Sequence, residues 1–399
     1  MIARHLTRVL GKSAQEYPVV SVTGPRQSGK TTLVRAAFPG HAYVSLEDPD
    51  ERSFALEDPR GFLDRFAGPA ILDEIQRVPD LFSYLQTTVD ETGDMGRFII
   101  TGSQNFLLLH QISQTLAGRC AVLQLLPFSR AELEGRRPTS LDRIGTSLPR
   151  RRIDGEADLF RTVFTGGYPP IHDRGLDPRD WLANYTRTYL ERDVRDLLNV
   201  GDAEAFSRFV RLCAGRCGHL LNLSGLAGDA GISHATAWRW LSILEAGYLV
   251  ILLRPHHRNF NKRLIKAPKL YFLDTGLLCY LLRIRDPDDL RQHAARGAVF
   301  ETWVISEAVK TCRHRGVEPD LFFWRDSTGR EIDLIIDRGG TLAPVEIKSG
   351  QTISEDFFRG LRFWRGLPGQ AQCPAALVYG GADSYRRGGV TVLSWQHWL

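Results

Sequence analysis

Eight consecutive residues, Gly24-Pro25-Arg26-Gln27-Ser28-Gly29-Lys30-Thr31, fit the spacing GxxxxGK[ST] and follow the apolar run Pro18 to Val22. Glycines at these positions let successive backbone N–H groups curl round a phosphate, and the positive end of the helix that follows faces the same anion. Lys30 is then placed to reach the β- and γ-phosphates of a nucleoside triphosphate, and Thr31, followed by Thr32, offers its hydroxyl to Mg²⁺. Downstream, Pro69-Ala70-Ile71-Leu72-Asp73-Glu74 reads as a buried strand ending in two carboxylates. Asp73 suits the Mg²⁺ shell and Glu74 the polarisation of an attacking water. Ser103 or Gln104, just beyond the apolar run Phe98 to Thr101, is placed to touch the γ-phosphate or that water. Arg119, after Leu116-Ala117-Gly118, closes a short helix. There it either complements the helix dipole or reaches a neighbouring subunit's nucleotide as an arginine finger.

A second group of chemically capable residues lies in the last hundred positions. Glu346 and Lys348 are two apart on one strand, so they share a face and meet Asp333 across a hairpin at Arg338-Gly339-Gly340. Glu301, on a helix opening at Arg296, can join them. One lysine among three carboxylates is costly to assemble without a purpose such as holding Mg²⁺ and orienting water.

The elements that must position these residues fall into three segments. Over 1–150, short β-branched runs alternate with helical patterns, which means an α/β domain with a parallel sheet. Over 151–285, Asn222 to Leu241 has helix-turn-helix grammar: Ser224 and Ser233 as caps, Gly231 as the turn, and Ala237, Trp240, Leu241 and Leu244 facing a core. Two apolar runs, Leu249 to Leu253 and Leu270 to Leu273, flank a segment rich in Arg, Lys and His and predict a wing. His234, Thr236 and Arg239 would face outward on the recognition helix, and Arg258, Lys262, Arg263 and Lys266, with Lys269 and the pair His256-His257, would line the basic loop. Residues 286–399 predict a further α/β domain. Arg150 to Glu156 reads as a connection, and the charged residues Glu191, Arg192, Asp193 and Arg195 read as the solvated, salt-bridged face of a helix starting at Trp181.

The chain of 399 residues has a net charge of +5, and residues 181–285 alone hold 15 Lys and Arg against 8 Asp and Glu. A basic excess confined to one segment points to a polyanion partner there, and duplex or branched DNA fits better than RNA because no aromatic base-stacking signature is present. No window holds the roughly 18 consecutive apolar residues of a membrane span. With no cleavage signature at the N-terminus, a cytoplasmic protein without a membrane partner is expected. The six scattered cysteines read as reduced, structural thiols rather than a zinc site.

The phrases GPRQSGKTTL, ILDEIQRVPDLF, IITGSQNFLL and TLAGRCAVLQLLPFS, with GGYPP (Gly166 to Pro170), YLERDVRDLLNV and LDTGLLCYLL further on, resemble a family of uncharacterised bacterial and archaeal AAA+-like ATPases. The resemblance spans nearly the whole chain and implies an AAA+-like P-loop fold and ATP binding. The last hundred residues also resemble the PD-(D/E)XK nuclease superfamily, with Ile332-Asp333 in place of the Pro-Asp pair. That resemblance implies Asp333, Glu346 and Glu301 as acids of a metal site and Lys348 as the catalytic lysine; its alternative is an inactive domain that grips DNA or dimerises. The expectation is an ATP-hydrolysing DNA-binding protein that remodels or translocates on DNA, assembled through Arg119 as a ring or head-to-tail array. The alternatives are a regulatory switch of repressor or antitoxin type, and a nuclease gated by ATP.

Overall fold

A computed structural model of the chain describes residues 2–103, 112, 114–149, 158–188, 203–256 and 266–399. After α1 (Leu6–Glu16), the strand β1 (Val19–Thr23) is buried along its whole length, as a strand covered on both faces must be. It leads through the glycine-bracketed loop into α2 (Lys30–Ala37). Strands β2 (Ala42–Ser45) and β3 (Ala70–Asp73), helix α3 (Leu81–Thr92), and strands β4 (Phe98–Gly102) and β5 (Cys120–Gln124) complete the first unit. The five strands are parallel in the order β2-β3-β4-β1-β5. Thus β4 lies between the strand that enters the loop and the strand that ends in Asp73.

The next elements are short helices: α4 (Arg130–Leu133), held by a capping box between Ser129 and Glu132, α5 (Leu159–Thr165) and α6 (Pro169–Arg174), which begins inside Gly166 to Pro170. Helix α7 (Pro178–Tyr185) follows. A three-helix group comes next: α8 (Ala203–Gly215), α9 (Leu223–Ala230) and α10 (His234–Ala246). Gly231 ends α9 in the left-handed region, φ 73°, and Ser233 caps α10 by accepting from the Thr236 amide at 3.1 Å. The cap of α9 is Asn222, accepting from Gly225 at 3.0 Å, and not Ser224. Ala237, Trp240, Leu241 and Leu244 face inward, with Trp240 edge-on to Phe206 and Phe209.

Strands β6 (Val250–Pro255) and β7 (Lys269–Phe272) pair as the expected hairpin, but they are not a free wing. Arg254 and Pro255 of β6 pair in parallel with Phe322 and Phe323, so the hairpin extends the C-terminal sheet. That sheet follows α11 (Thr275–Leu281) and α12 (Arg296–Arg313) and contains β8 (Leu321–Arg325), β9 (Glu331–Arg338), β10 (Thr341–Lys348), β11 (Ala376–Tyr379), β12 (Tyr385–Arg387) and β13 (Val390–Ser394). Its order is β12-β13-β11-β10-β9-β8-β6-β7. One apolar core runs from Phe160 through Trp240, Leu270 and Val304 to Val378, so the three-helix group and the C-terminal strands bury a common interior.

All six cysteines are free, five of them buried. Among the described residues no helix is long and apolar enough to cross a membrane. Gln104, residues 150 to 156, Glu191, Arg192, Asp193, Arg195, His257, Arg258, Lys262 and Arg263 lie outside the described residues.

Candidate functional site

At the end of β1 the chain takes the backbone angles that only a glycine-rich loop tolerates. Gly24 has φ 151°, and a Cβ there would sit 2.0 Å from the Leu125 carbonyl oxygen; Gln27 and Gly29 have φ 63° and 90°. Lys30 is buried and donates to the carbonyls of Gly24 at 3.0 Å and Pro25 at 2.9 Å. Burial pulls its pKa from 10.5 to about 8, against the pull of Glu74 and Asp73. The Ser28 hydroxyl is buried inside the loop without a partner. A cavity of about 430 Å³ opens above the loop, lined by Arg26, Lys30, Thr31, Thr32, Glu47 and Glu74 among others.

Beside it, four elements bring their polar residues to one point. Thr31 Oγ1 donates to Asp73 Oδ2 at 2.9 Å, Tyr43 OH to the same oxygen at 3.0 Å, and Thr101 Oγ1 to Asp73 Oδ1. Burial and Asp73 push the Tyr43 phenol up to about 12, so it stays a donor. Glu74 sits in the left-handed region, φ 54°, ψ 44°, a strained backbone for a residue other than glycine. Its Oε2 accepts from Ser103 Oγ at 3.2 Å and from the Gln76 amide. Arg26 and Arg77 both lean on Glu47, each at 3.5 Å. This set holds the loop residues together with Asp73, Glu74 and Ser103. Arg119 is elsewhere: it immediately precedes β5 at the opposite end of the sheet and grips Asp90 with Nε at 2.5 Å and Nη2 at 2.9 Å. It cannot reach the nucleotide loop of its own chain.

Several residues at this site escape a reading of the sequence. Arg4, far outside the motif, is buried behind the loop: its Nη1 donates to Ser28 O at 2.8 Å, its Nη2 to Leu126 O at 2.6 Å, and its Nε to Glu132 at 3.1 Å. Burial would raise the Glu132 carboxyl, but His314 and Arg4 outweigh it and hold Glu132 well below the usual range. Tyr185 and Thr188 close the cavity from the far side, and Tyr185 stacks on Trp181. Tyr168 donates to the Tyr185 hydroxyl at 3.1 Å, and Asp274 accepts from the Gly167 amide at 2.7 Å. The phrases Gly166 to Pro170 and Asp274 to Leu282 therefore touch, and together they support the wall facing the loop. For Gly166 to Pro170 the signal in the sequence is the Gly and Pro content, which goes with tight backbone approaches: a Cβ on Gly167 would lie 2.3 Å from Phe128 O.

The C-terminal carboxylates form a second buried cluster. Lys348 Nζ donates to Asp333 at 3.1 Å and Glu346 at 2.7 Å, and the Ile347 amide donates to Asp333 at 2.8 Å. Burial and Asp333 push Glu346 well above the carboxylate range, whereas Lys348 and Lys269 hold Asp333 below it despite burial. Glu301 is not with them as an open ligand: Lys269 Nζ reaches it at 3.1 Å and also binds Glu331, and Tyr271 OH donates to it. Lys269 thus corrects the expectation of a solvent-facing basic loop, being only 3% exposed. His256 is likewise buried, edge-on to Phe322. Among the described residues no three His, Cys, Asp or Glu side chains are grouped to hold a metal, and Lys269 and Lys348 pair with these carboxylates. Asp333, Glu346 and Lys348 thus lie together as expected, with Glu301 paired to Lys269.

On α10, His234 and Arg239 are exposed and Thr236 is half-buried beside its cap, Ser233. Trp238, unremarked in the sequence, is 56% exposed on the same helix. Lys266 is exposed.

Comparison with known proteins gives three family matches: an AAA domain over residues 16–134, a domain of unknown function (DUF8612) over 156–288, and a domain of unknown function (DUF4143) over 296–398. The chain is 31% identical over 350 residues to Uncharacterized protein Rv2008c of Mycobacterium tuberculosis, covering 86% of this chain and 73% of that one. It is 21% identical over 334 residues to Uncharacterized protein MJ1544 of Methanocaldococcus jannaschii, covering 79% and 71%. Among solved structures, the Walker-type ATPase PABY2304 of Pyrococcus abyssi aligns with TM-score 0.45 and 15% identity, over 71% of this chain and 96% of that one. The RuvB Holliday junction branch migration motor of Thermotoga maritima aligns with TM-score 0.29 and 18% identity, over 63% and 90%. The first unit, with its parallel sheet and loop, is a P-loop ATPase-like AAA domain.

Proposed function

We propose, from the premise that the chain belongs to one family with Uncharacterized protein Rv2008c of Mycobacterium tuberculosis, that it hydrolyses ATP and engages DNA, using turnover to remodel or move along duplex or branched DNA. The observation that carries the ATPase reading is that Lys30, Thr31 and Glu74 line one cavity, with Asp73 hydrogen-bonded to Thr31 and Ser103 to Glu74. The backbone from Gly24 to Gly29 cradles the phosphates, and Lys30 leaves its two carbonyl partners to bind them. Thr31 and Asp73, hydrogen-bonded to each other, would hold Mg²⁺, which would supply neutralising charge to the phosphates. Glu74 takes the proton of the attacking water, while Ser103 fixes the rotamer of its carboxylate. Arg119 stabilises transition-state charge in a neighbouring copy, packed head to tail or in a ring.

DNA engagement is supported by the exposed His234 and Arg239 on α10, the basic balance of the segment and the exposed Lys266. One observation favours a second reading, a switch without movement. Tyr248, between α10 and β6, places its hydroxyl 2.8 Å from Thr23 Oγ1, at the mouth of the nucleotide loop. Nucleotide state would then set the posture of α10 directly. The nuclease reading requires Lys269 and Lys348 to release their carboxylates, and absence of cleavage of linear or branched DNA with Mg²⁺ or Mn²⁺ removes it.

The deciding experiment is ATP turnover of the purified chain with duplex, single-stranded and four-way-junction DNA, with Lys30→Ala as the blank. Stimulation by one form identifies the substrate and supports the motor. Turnover that is present but flat with all three, while nucleotide changes DNA affinity, supports the switch. No turnover above the Lys30→Ala blank ends the ATPase reading.

A further inference from the structure

The nucleotide loop rests on a buried arginine that does not line the cavity. Gly29 lines it, whereas the carbonyl oxygen of the same peptide unit, that of Ser28, accepts from Arg4 Nη1 at 2.8 Å behind the loop. A trans peptide carries its C=O and N–H in opposite directions, so an anchor on the Ser28 oxygen aims the Gly29 N–H the other way. The guanidinium is itself fixed. Its Nη2 donates to Leu126 O at 2.6 Å, its Nε donates to Glu132 at 3.1 Å, and its Cζ lies 4.5 Å over the centre of the Phe128 ring. Only 7% of the Arg4 side chain is exposed.

What fixes Arg4 comes from the other end of the chain. Besides Arg4, Glu132 accepts from the His5 amide at 2.8 Å and the Ser129 amide at 2.9 Å. His314, fully buried just after α12, accepts the Leu126 amide on Nε2 at 3.2 Å. The proton of its neutral ring is then on Nδ1, 3.2 Å from Glu132 Oε2. Leu126 is therefore clamped twice, through its oxygen by Arg4 and through its nitrogen by His314. Two further buried residues of α12 grip the same stretch: Glu307 accepts from the Arg130 amide at 2.7 Å, and Lys310 donates to Phe128 O at 3.1 Å. Residues 126–130, which back the loop, are thus bonded along one side of α12.

A buried ion pair adds little net stability over apolar packing of the same shape, so stability alone does not account for a guanidinium at this place. What it adds is one fixed carbonyl in a loop that must present its amides to an anion. We propose that Arg4 is a positioning residue for phosphate binding: it turns the Ser28–Gly29 peptide so that the Gly29 amide faces the triphosphate. Glu132 and His314 hold Arg4 in that posture, so the C-terminal segment sets nucleotide affinity from behind the loop. The inference rests on the ATPase reading above and deepens it. Arg4 takes no part in the chemistry. The Gly29 amide meets phosphate alike before and during transfer, so its misplacement raises KM and leaves kcat.

The test uses the full chain, with Kd and the number of sites for a non-hydrolysable Mg-ATP analogue from calorimetry, and KM and kcat from phosphate release. Arg4→Lys keeps a charge beside Glu132 but loses the fork that reaches Ser28 and Leu126. It should raise Kd and KM by about tenfold, with kcat within about twofold of wild type. Arg4→Ala should do as much or more. His314→Ala should raise Kd by about threefold or more, and the Arg4→Ala/His314→Ala double variant should match Arg4→Ala, because the histidine acts through the arginine. Arg8→Ala, exposed on α1, should change nothing. A purely structural role gives the opposite split, with fewer sites and a lower kcat at unchanged Kd and KM. That split, wild-type affinity in Arg4→Lys, or additive effects of Arg4→Ala and His314→Ala overturns the proposal. A wild-type chain that binds no nucleotide overturns the ATPase reading with it. Wild-type turnover above the Lys30→Ala blank, beside an unchanged Kd in Arg4→Lys, overturns this inference alone.

Discussion

Lys30 should take up a proton when ATP binds, and the amount follows from its surroundings. In the free protein its ammonium is buried against two carbonyl oxygens, with a pKa of about 8 instead of 10.5, a burial cost of about 3 kcal/mol. A triphosphate binds the charged form, restoring the ordinary value. At pH 9 the free lysine is about nine-tenths neutral and at pH 7 about one-tenth, so binding should take up about 0.9 proton at pH 9 and about 0.1 at pH 7. Affinity should fall about tenfold between pH 7 and pH 9. Calorimetry of Mg-ATP binding in two buffers of different ionisation enthalpy reads the uptake directly, and the residual binding of Lys30→Met should show neither effect. The sign for folding is opposite to that for binding. A depressed lysine pKa penalises the native state below about pH 8, and this penalty fades as the pH rises from 8 towards 10.5, so the free protein gains stability there. Equal affinity at pH 7 and pH 9 with no proton uptake would refute the picture of a neutralised lysine folded back on its loop.

Three further outcomes are expected. Glu74→Gln should leave nucleotide binding intact and lower phosphate release by about 10²–10⁴-fold, measured under single-turnover conditions. Arg239→Ala should weaken duplex binding and reduce the slope of log affinity against log salt by about one, read by fluorescence anisotropy across a salt series; an unchanged slope would remove α10 from the DNA contact. Lys269→Met should destabilise the fold by about 3–5 kcal/mol in urea titrations, because Glu301 and Glu331 lose a buried counter-charge. Pairing it with Glu301→Gln should recover part of that loss.

Local chemistry was legible in the sequence, and distant chemistry was not. The loop from Gly24 to Thr31 depends on neighbours in the chain, and its backbone angles and setting between β1 and α2 match its wording. Asp73 and Ser103 end adjacent strands of a parallel sheet, and alternation of strands and helices predicts that neighbourhood. Lys269 was misread because its carboxylate partners lie 32 and 62 residues further on, so nothing near it in the chain reveals its burial. Arg4 was missed for the same reason, since its partners Leu126 and Glu132 are more than a hundred residues away. The hairpin of β6 and β7 was readable as a hairpin; that its free edge joins β8 depends on two backbone pairs that leave no mark on side-chain pattern. The cap at Asn222 shows a narrower limit, because Asn and Ser compete for that role with similar chemistry and local packing decides.

The continuity of the eight-stranded sheet bears on how relatives of this chain can diverge. The three family matches divide the chain at visible borders, yet acids of the last segment are neutralised by a lysine of the middle one. A lineage that replaced the final hundred residues alone would inherit Lys269 without Glu301 and Glu331, or the acids without the base. Lys269, Tyr271, Glu301 and Glu331 should therefore change together or not at all across descendants, a co-inheritance set by buried charge that crosses the visible seams of the sequence.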